Sequence, residues 1–320
     1  MKRYSDHNTL SVRPTALARL AKYLGSLLFA IVLLILLHPP YGLYAQAEPV
    51  TVKIVTWNIQ MLPDNYDIVS PSLRKMQTDR APWIIEYCKE QDFDIIVFQE
   101  VFDGEIKRML RKQLRDEYPY QVNTRTKALR FASNGILIVS RIPLKYVDHV
   151  IYTRGVHSDA MAAKGCTLIE AEKKGRRFQV AGTHLQAGGS EQASVVRHRQ
   201  YRSIRELLDR NKDERIPVFV VGDMNTCKTD EETFSEMVQL IGVTDYPLND
   251  SLPYTIDGNN SWNPNSGRSQ LDYIFLQAHN TTTRIINQYI LRPWRQHKGR
   301  KIDLADHYGV VAEIELGSED

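Results

Sequence analysis

Asp306 and His307 stand side by side near the C-terminus, in Leu-Ala-Asp-His-Tyr. Four other polar constellations precede them, each closing an apolar run: Trp57-Asn58, Gln99-Glu100, Thr183-His184, and Asp223 with Asn225. Carboxylates, amides and imidazoles at the ends of buried strands are the donor types of a metal-assisted hydrolytic site. Their recurrence implies one site built at a single edge of a scaffold.

Each group also has a plainer reading. Asn58 after Trp57 can be a strand-end turn residue. Glu100 ends Ile-Ile-Val-Phe-Gln-Glu, a run that would carry a carboxylate out of a buried strand. A hard divalent cation such as Mg2+ takes one or two carboxylates plus substrate oxygens and water, and Glu100 with the Asn58 amide offers that set. His184 opens Leu-Gln-Ala-Gly-Gly, a loop that lets a phosphate approach the backbone. Asp223 and Asn225 lie at i and i+2, which puts them on one side of an extended segment. There a carboxylate can hold a nucleophilic water and an amide can donate to a phosphoryl oxygen; an Asx turn is the alternative. Asp272 enters a strand in Gln-Leu-Asp-Tyr-Ile, a poor place for an unpartnered carboxylate. His307 is its natural partner, because a carboxylate on one ring nitrogen fixes the tautomer.

The elements that would position these groups follow from periodicity. Residues 51–57, 94–98, 135–140, 146–152, 165–171, 177–183, 217–221, 271–276 and 310–314 read as strands. Residues 72–90, 103–116, 190–210 and 231–240 read as helices, with Asp103 as an N-cap. Lys173-Lys174-Gly175 reads as a hairpin turn. Helices alternate with strands, which favours a layered α/β domain with two sheets face to face and helices outside.

At 320 residues and 42% hydrophobic content, the chain can bury a sizeable core. Residues 1–47 differ from the rest. Lys2, Arg3, Arg13, Arg19 and Lys22 precede an uncharged stretch from Tyr23 to Leu37, and Ala45-Gln46-Ala47 resembles a cleavage site. That layout is a secretory signal. Its apolar run would span only about 22 Å as a helix, short of a roughly 30 Å hydrocarbon core. The expectation is a cleaved signal and a secreted or periplasmic product, residues 48–320 forming one catalytic domain. An anchor through residues 23–37 is the alternative. Five of the 41 Lys/Arg and one of the 38 Asp/Glu lie in residues 1–47, leaving 36 against 37. A near-neutral body gives no electrostatic case for a stable nucleic-acid partner. Three cysteines (Cys88, Cys166 and Cys227) cannot make a complete disulfide framework.

In chain order these motifs resemble the endonuclease/exonuclease/phosphatase superfamily, over roughly residues 51–316. Within it the chain is most similar to the neutral sphingomyelinases, including the bacterial hemolysin type. Asn-Ile-Gln-Met-Leu-Pro from Asn58, Gly-Thr-His-Leu-Gln-Ala from Gly182 and Asp-Ala-Met-Ala-Ala-Lys-Gly from Asp159 carry that likeness. The resemblance implies a four-layered α/β sandwich, with two mainly antiparallel sheets and helices outside. It implies a Mg2+-dependent phosphodiesterase, with Mn2+ or Co2+ as substitutes, that cleaves sphingomyelin to ceramide and phosphocholine. An exported nuclease, or another lipid or phosphoinositide phosphoesterase, is the alternative.

By the same resemblance, Glu100, Asn58 and Asp306 belong to the metal. His307 is the general base, Asp272 its orienting acid, and Asp223 a water-positioning group. His184, Asn225, Lys164 and Asp159 lie around the phosphate; for the last two a plain surface salt bridge is the alternative. Ala305 stands where the family often has Ser. Secreted members carry an exposed aromatic hairpin late in the chain. Here Arg292 to Lys301 offers Trp294 among five basic residues. This segment is either a contact to a sphingomyelin-containing membrane or a solvated loop. A monomer is expected.

Overall fold

The computed structural model describes residues 49–63, 71–123, 132–278 and 282–317, with scattered helical positions between 16 and 33. Met1–Glu48 and Pro49–Asp320 form two compact units. In the first, the described positions are helical and exposed, Leu27, Leu28 and Phe29 among them. The proposed cleavage site at residues 45–47 lies outside the described residues. Among the described residues no helix is long and apolar enough to cross a membrane.

The second unit holds two sheets. One contains β1 (Val50–Met61), β2 (Ile95–Val101), β3 (Tyr120–Val122), β4 (Leu137–Ser140), β10 (Arg284–Leu291) and β13 (Gly309–Leu316), in the order β10-β13-β1-β2-β4-β3. The other runs β5-β6-β7-β8-β9, from Leu144–Ile151, Gly165–Lys173, Arg176–His184, Val218–Asp223 and Asp272–Gln277. A separate hairpin pairs β11 (Trp294–His297) with β12 (Arg300–Asp303).

Strand alternation sorts the apolar residues into layers. Val52, Ile54 and Val97 of the first sheet join Val180, Phe219, Val221 and Ile274 of the second in one buried cluster between the sheets. The opposite face of the first sheet, with Val55, Trp57 and Phe98, packs on helix α1 (Pro71–Glu90) through Ile84 and Cys88 and on helix α2 (Gly104–Gln113) through Ile106 and Leu110. The outer face of the second sheet packs on α3 (Glu191–Arg210) through Tyr201 and Ile204 and on α4 (Glu231–Ile241) through Met237. The result is the four-layered α/β sandwich, with antiparallel pairing throughout except at β1·β2 and β7·β8. Helix starts follow their side chains: Asp103 accepts from the Glu105 and Ile106 amides, and Ser190 from that of Ala193.

Those two parallel pairs place the chemistry. Parallel strands end at the same edge, so the C-terminal ends of β1 and β2 lie together, as do those of β7 and β8. Strands β9 and β13 run antiparallel to β8 and β1, so their first residues meet those ends. Asp272 pairs directly with Asp223, and Val310 with Thr56.

Three elements depart from the periodicity. Residue 58 does not end a strand: β1 continues to Met61 through a bulge after Asn58. A bulge re-aims side chains without ending the pairing. Residues 284–291, to which periodicity gives no element, form β10, and the basic stretch around Trp294 is an ordered hairpin. Neither β10 nor the hairpin repeats the apolar alternation of a core strand, so partners, not pattern, define them.

Candidate active site

Four side chains stand at residues with unusual backbone. Glu100 lies at φ 57° and Asn225 at φ 47°, in the left-handed region that non-glycine residues rarely adopt. Asn58 precedes the β1 bulge, and Asp223 follows Gly222, where a Cβ would clash with the Thr183 carbonyl of the neighbouring strand. The strand ends are thus bent so that polar groups converge.

Asp223 links the two sheets. Asn58 Nδ2 donates to its Oδ2 at 3.0 Å, and the Asn225 amide donates to its Oδ1 at 2.9 Å. The second bond is an Asx turn, so Asp223 and Asn225 do not simply share one side of an extended strand. The turn frees the Asn225 side chain, which donates to the Leu185 carbonyl at 3.1 Å.

His307 Nδ1 lies 2.8 Å from Asp272 Oδ2, and its Nε2 3.8 Å from Asp223 Oδ2. Asp272 is the acid bonded to the ring; Asp306, its chain neighbour, points elsewhere. Burial opposes a charge on His307, but the carboxylates of Asp272, Asp223 and Asp306 outweigh it and hold the imidazole well above its ordinary value. His184 is the reverse case: burial, with Lys164 and His307 nearby, holds it well below. Its Nε2 sits 3.1 Å from Lys164 Nζ and 3.5 Å from Asp223 Oδ2.

Lys164 is 4% exposed and donates to Asp159 Oδ2 at 2.7 Å and to the Leu185 carbonyl at 2.8 Å. This pair is therefore no surface salt bridge. Asp159 in turn accepts from the Ala187 amide at 2.7 Å, which fixes the loop after His184.

Glu100 and Asp306 form the acidic end. Desolvation and then the Asp306 charge push the Glu100 carboxyl up to about 7, and desolvation likewise raises Asp306. Asp223 is pushed up to about 6 by burial and by Asp272. Among the described residues Asp306 Oδ1 is buried without a hydrogen-bond partner. Two mutually repelling carboxyls, one with an orphaned oxygen, fit a hard divalent cation. The Asn58 side chain turns Nδ2 toward Asp223 and Glu100, and its Oδ1 accepts from the Gln60 amide at 3.2 Å. Asp223, Asp272 and His307 also lie within 4.8 Å of one another. The 2.8 Å bond between two of them makes that trio an oriented imidazole rather than the better cation site.

Several residues in this architecture give no signal in the sequence. Arg80 of α1 is 0% exposed. It donates to the carbonyls of Ile59 at 3.2 Å, Gln60 at 3.0 Å and Leu304 at 2.9 Å, with its guanidinium 4.6 Å from the Trp262 ring. Burial pushes it down to about 10, against the pull of Asp306 and Glu100. Asn260 donates to the Ala305 carbonyl at 2.9 Å, Trp262 to that of Asp303 at 2.7 Å and Asn263 to that of Asp306 at 2.6 Å. This loop cradles the segment that carries Asp306 and His307. Its Asn, Ser and Gly content reads as an ordinary turn.

Residues 55–293 match the Endonuclease/Exonuclease/phosphatase family. A sphingomyelinase C of Leptospira interrogans is 29% identical over 83% of this chain and 52% of its own length, so the chain spans about half of that relative. A sphingomyelinase C of Bacillus cereus is 28% identical over 86% of this chain and 93% of its own length. A beta toxin double mutant from Staphylococcus aureus, solved with bound magnesium ions, shares the fold at TM-score 0.70 and 23% identity, over 84% of this chain and all of that one. The strand order, the convergence of polar groups at one sheet edge and the match over most of the second unit agree: the chain belongs to the endonuclease/exonuclease/phosphatase family.

Proposed function

We propose that this chain is a divalent-cation-dependent phosphodiesterase that hydrolyses sphingomyelin to ceramide and phosphocholine. The observation that carries this reading is the His307–Asp272 bond at 2.8 Å, set beside Asp223 and the Glu100–Asp306 pair. The sphingomyelinase relatives supply the substrate class.

Glu100 and Asp306 would hold Mg2+, or Mn2+ or Co2+ in its place, and Asn58 would join them once its amide turned Oδ1 toward the ion. When bound, the cation polarises the phosphoryl group and offsets charge on the leaving oxygen. Asp272 keeps the His307 proton on Nδ1, which leaves Nε2 to accept one from the attacking water. A cation held at Glu100 and Asp306 would oppose a second proton on His307, against the pull of Asp272 and Asp223, and so favour a free Nε2. Asp223, between Asn58 and His307, positions the water. The water oxygen forms a bond to phosphorus as the bond to the ceramide oxygen breaks; the leaving oxygen takes a proton from solvent, and His307 later returns to solvent the proton it took from the attacking water. Lys164, Asn225 and neutral His184 stabilise charge on the remaining phosphoryl oxygens. Asp159 holds Lys164 in place.

The hairpin β11–β12 exposes Trp294 at 52% and carries Lys298, Arg300 and Lys301, a composition suited to a membrane surface. Export through residues 1–47, with residues 48–320 as the catalytic domain, is the matching location for such a substrate. The test is release of water-soluble phosphocholine from sphingomyelin vesicles with Mg2+, and its loss in Glu100→Gln and His307→Ala. Equal turnover by these variants, or plasmid nicking that outpaces lipid cleavage, overturns the reading.

A further inference from the structure

Residues 304–307 carry Asp306 and His307 yet lie in no helix or strand. Their carbonyls have no ladder partner, so each needs a donor from elsewhere. Side chains supply them all. Trp262 Nε1 donates to the Asp303 carbonyl at 2.7 Å, Arg80 to that of Leu304 at 2.9 Å and Asn260 to that of Ala305 at 2.9 Å. Asn263 donates to the Asp306 carbonyl at 2.6 Å and Trp57 Nε1 to that of His307 at 3.1 Å. Five consecutive carbonyls are thus each held by a different side chain, and three of the donors come from residues 260–263.

A peptide unit is planar and rigid, so fixing its carbonyl oxygen restrains the whole plane. The Ala305 carbonyl belongs to the plane before Asp306, and the Asp306 carbonyl to the plane after it. Asn260 and Asn263 hold these two planes, and with them the direction in which the Asp306 side chain leaves the backbone. Asn263 and Trp57 bracket His307 in the same way. Asn263 is therefore the donor common to both residues. The loop that supplies it is itself latched. The Ser261 amide and hydroxyl donate to Asp303 Oδ2 at 2.9 and 2.7 Å, and that hydroxyl accepts from the Asp303 amide at 3.0 Å. Asp303 is 1% exposed, so water does not compete for these bonds. The Trp262 amide donates to Asn260 Oδ1 at 2.9 Å, which leaves Asn260 Nδ2 facing the Ala305 carbonyl.

Resting on the phosphodiesterase reading above, we infer that Asn260 and Asn263 are positioning residues, which set the directions of the Asp306 carboxyl and the His307 imidazole through the carbonyls they hold. Ser261 and Asp303 form the latch that keeps the two amides in place. None of the four touches the reacting atoms in this assignment.

Asn263→Leu keeps the size of the side chain and removes the donor. With methyl p-nitrophenyl phosphate, a water-soluble diester, kcat is expected to fall about ten- to a hundredfold with KM little changed. Mg2+ affinity, read by calorimetric titration without substrate, is expected to weaken by about tenfold or more, because the same carbonyl aims both groups. Ser261→Ala is expected to move both quantities in the same direction, and Ser261→Thr, which keeps the hydroxyl, to restore them. A loop that served only stability would lower the folded fraction and leave Mg2+ affinity and kcat per folded molecule at their wild-type values. That outcome in Asn263→Leu overturns the assignment. So do equal losses in Ser261→Ala and Ser261→Thr, and this pair carries the test if Asn263→Leu does not fold. Failure of the wild-type protein to release phosphocholine from sphingomyelin vesicles, with Mg2+ affinity still weakened in Asn263→Leu, would instead overturn the proposed function and leave the positioning role standing.

Discussion

The indole Nε1 of Trp57 donates to the main-chain carbonyl of His307 at 3.1 Å, across 250 residues of sequence. Trp57 is 1% exposed, packed edge-on to Tyr87 and against Phe98. The bond clamps the segment that carries His307 onto β1, one residue before Asn58. Trp57→Phe keeps most of the packing and removes the donor. The buried carbonyl left behind should cost about 1–3 kcal/mol of stability in urea denaturation. kcat should fall with KM little changed, because the base is misplaced rather than the substrate lost.

Asp272 and Asp306 flank the same imidazole in different ways, and conservative amides separate them. Asp272→Asn would offer the Nδ1 of His307 the wrong hydrogen-bond partner. A loss in kcat of about a hundred- to ten-thousandfold is expected, with the circular dichroism spectrum unchanged. Asp306→Asn should instead weaken Mg2+ binding, read as a higher activating concentration. Equal cation dependence in the two variants would contradict this division.

The raised carboxyls make cation binding depend on pH. Glu100 at about 7 and Asp223 at about 6 keep protons in the folded protein that the unfolded chain has lost above their ordinary values of 4.5 and 3.8. The folded state then binds more protons, so these two groups lower stability as pH rises from about 4 to 7. His307, held high, works in the same direction: its contribution is complete below 6.5 and is lost as pH rises through its folded value. His184, held low, opposes them and adds stability as pH rises through 6.5. If Glu100 holds the cation as proposed, Mg2+ would displace its proton, and affinity should rise about three- to tenfold between pH 5.5 and 6.5. Calorimetry in buffers of different ionisation enthalpy would show the released proton, and Glu100→Gln should abolish it.

Arg80 should matter more for its fork of donors than for its charge. Arg80→Lys keeps the charge but cannot reach the carbonyls of Ile59, Gln60 and Leu304 together. Stability should drop by about 2–4 kcal/mol in denaturant titration. Arg80→Met should cost at least as much. A change below 0.5 kcal/mol in both would show that the three carbonyls find other partners.

The hairpin β11–β12 has an electrostatic test. Arg300→Glu with Lys301→Glu reverses two exposed charges and should weaken binding to anionic vesicles by tenfold or more, with the wild-type affinity falling as salt is added. Turnover of a water-soluble diester should not change. Arg295 is tied to Glu86 of α1, which holds the hairpin against the body, so it is a poorer probe of lipid contact.

Much of the scaffold could be read from the chain because its information is local. Ile95 to Val97 is apolar on both faces, as a strand covered on both sides must be, and Asp103 stands where an N-cap is needed. Strand β10 and the hairpin could not be read in this way. Arg284 to Leu291 mixes polar and apolar residues without clean alternation, because Gln288 is a buried polar residue that donates to the Tyr246 and Ile274 carbonyls and the register shifts between Ile285 and Asn287. Arg80 was equally hidden. A cation on an amphipathic helix reads as a solvated one, and only carbonyls from Ile59 and Leu304 reveal that it is buried.

The sequence by itself determined which polar residue types stand at or near the ends of the core strands: Asn58, Glu100, His184, Asp223, Asp272 and the pair before β13. Apolar runs fix strand ends, and a polar residue at such an end is legible without coordinates. The tertiary structure alone decided how these groups meet. Parallel pairing in β1·β2 and β7·β8 brings the ends to one edge. Left-handed turns at Glu100 and Asn225 re-aim the side chains. Direct pairing of Asp272 with Asp223 gives His307 its partner, while Asp306 turns away. Register, handedness and burial are properties of contacts between distant segments, and no single segment encodes them.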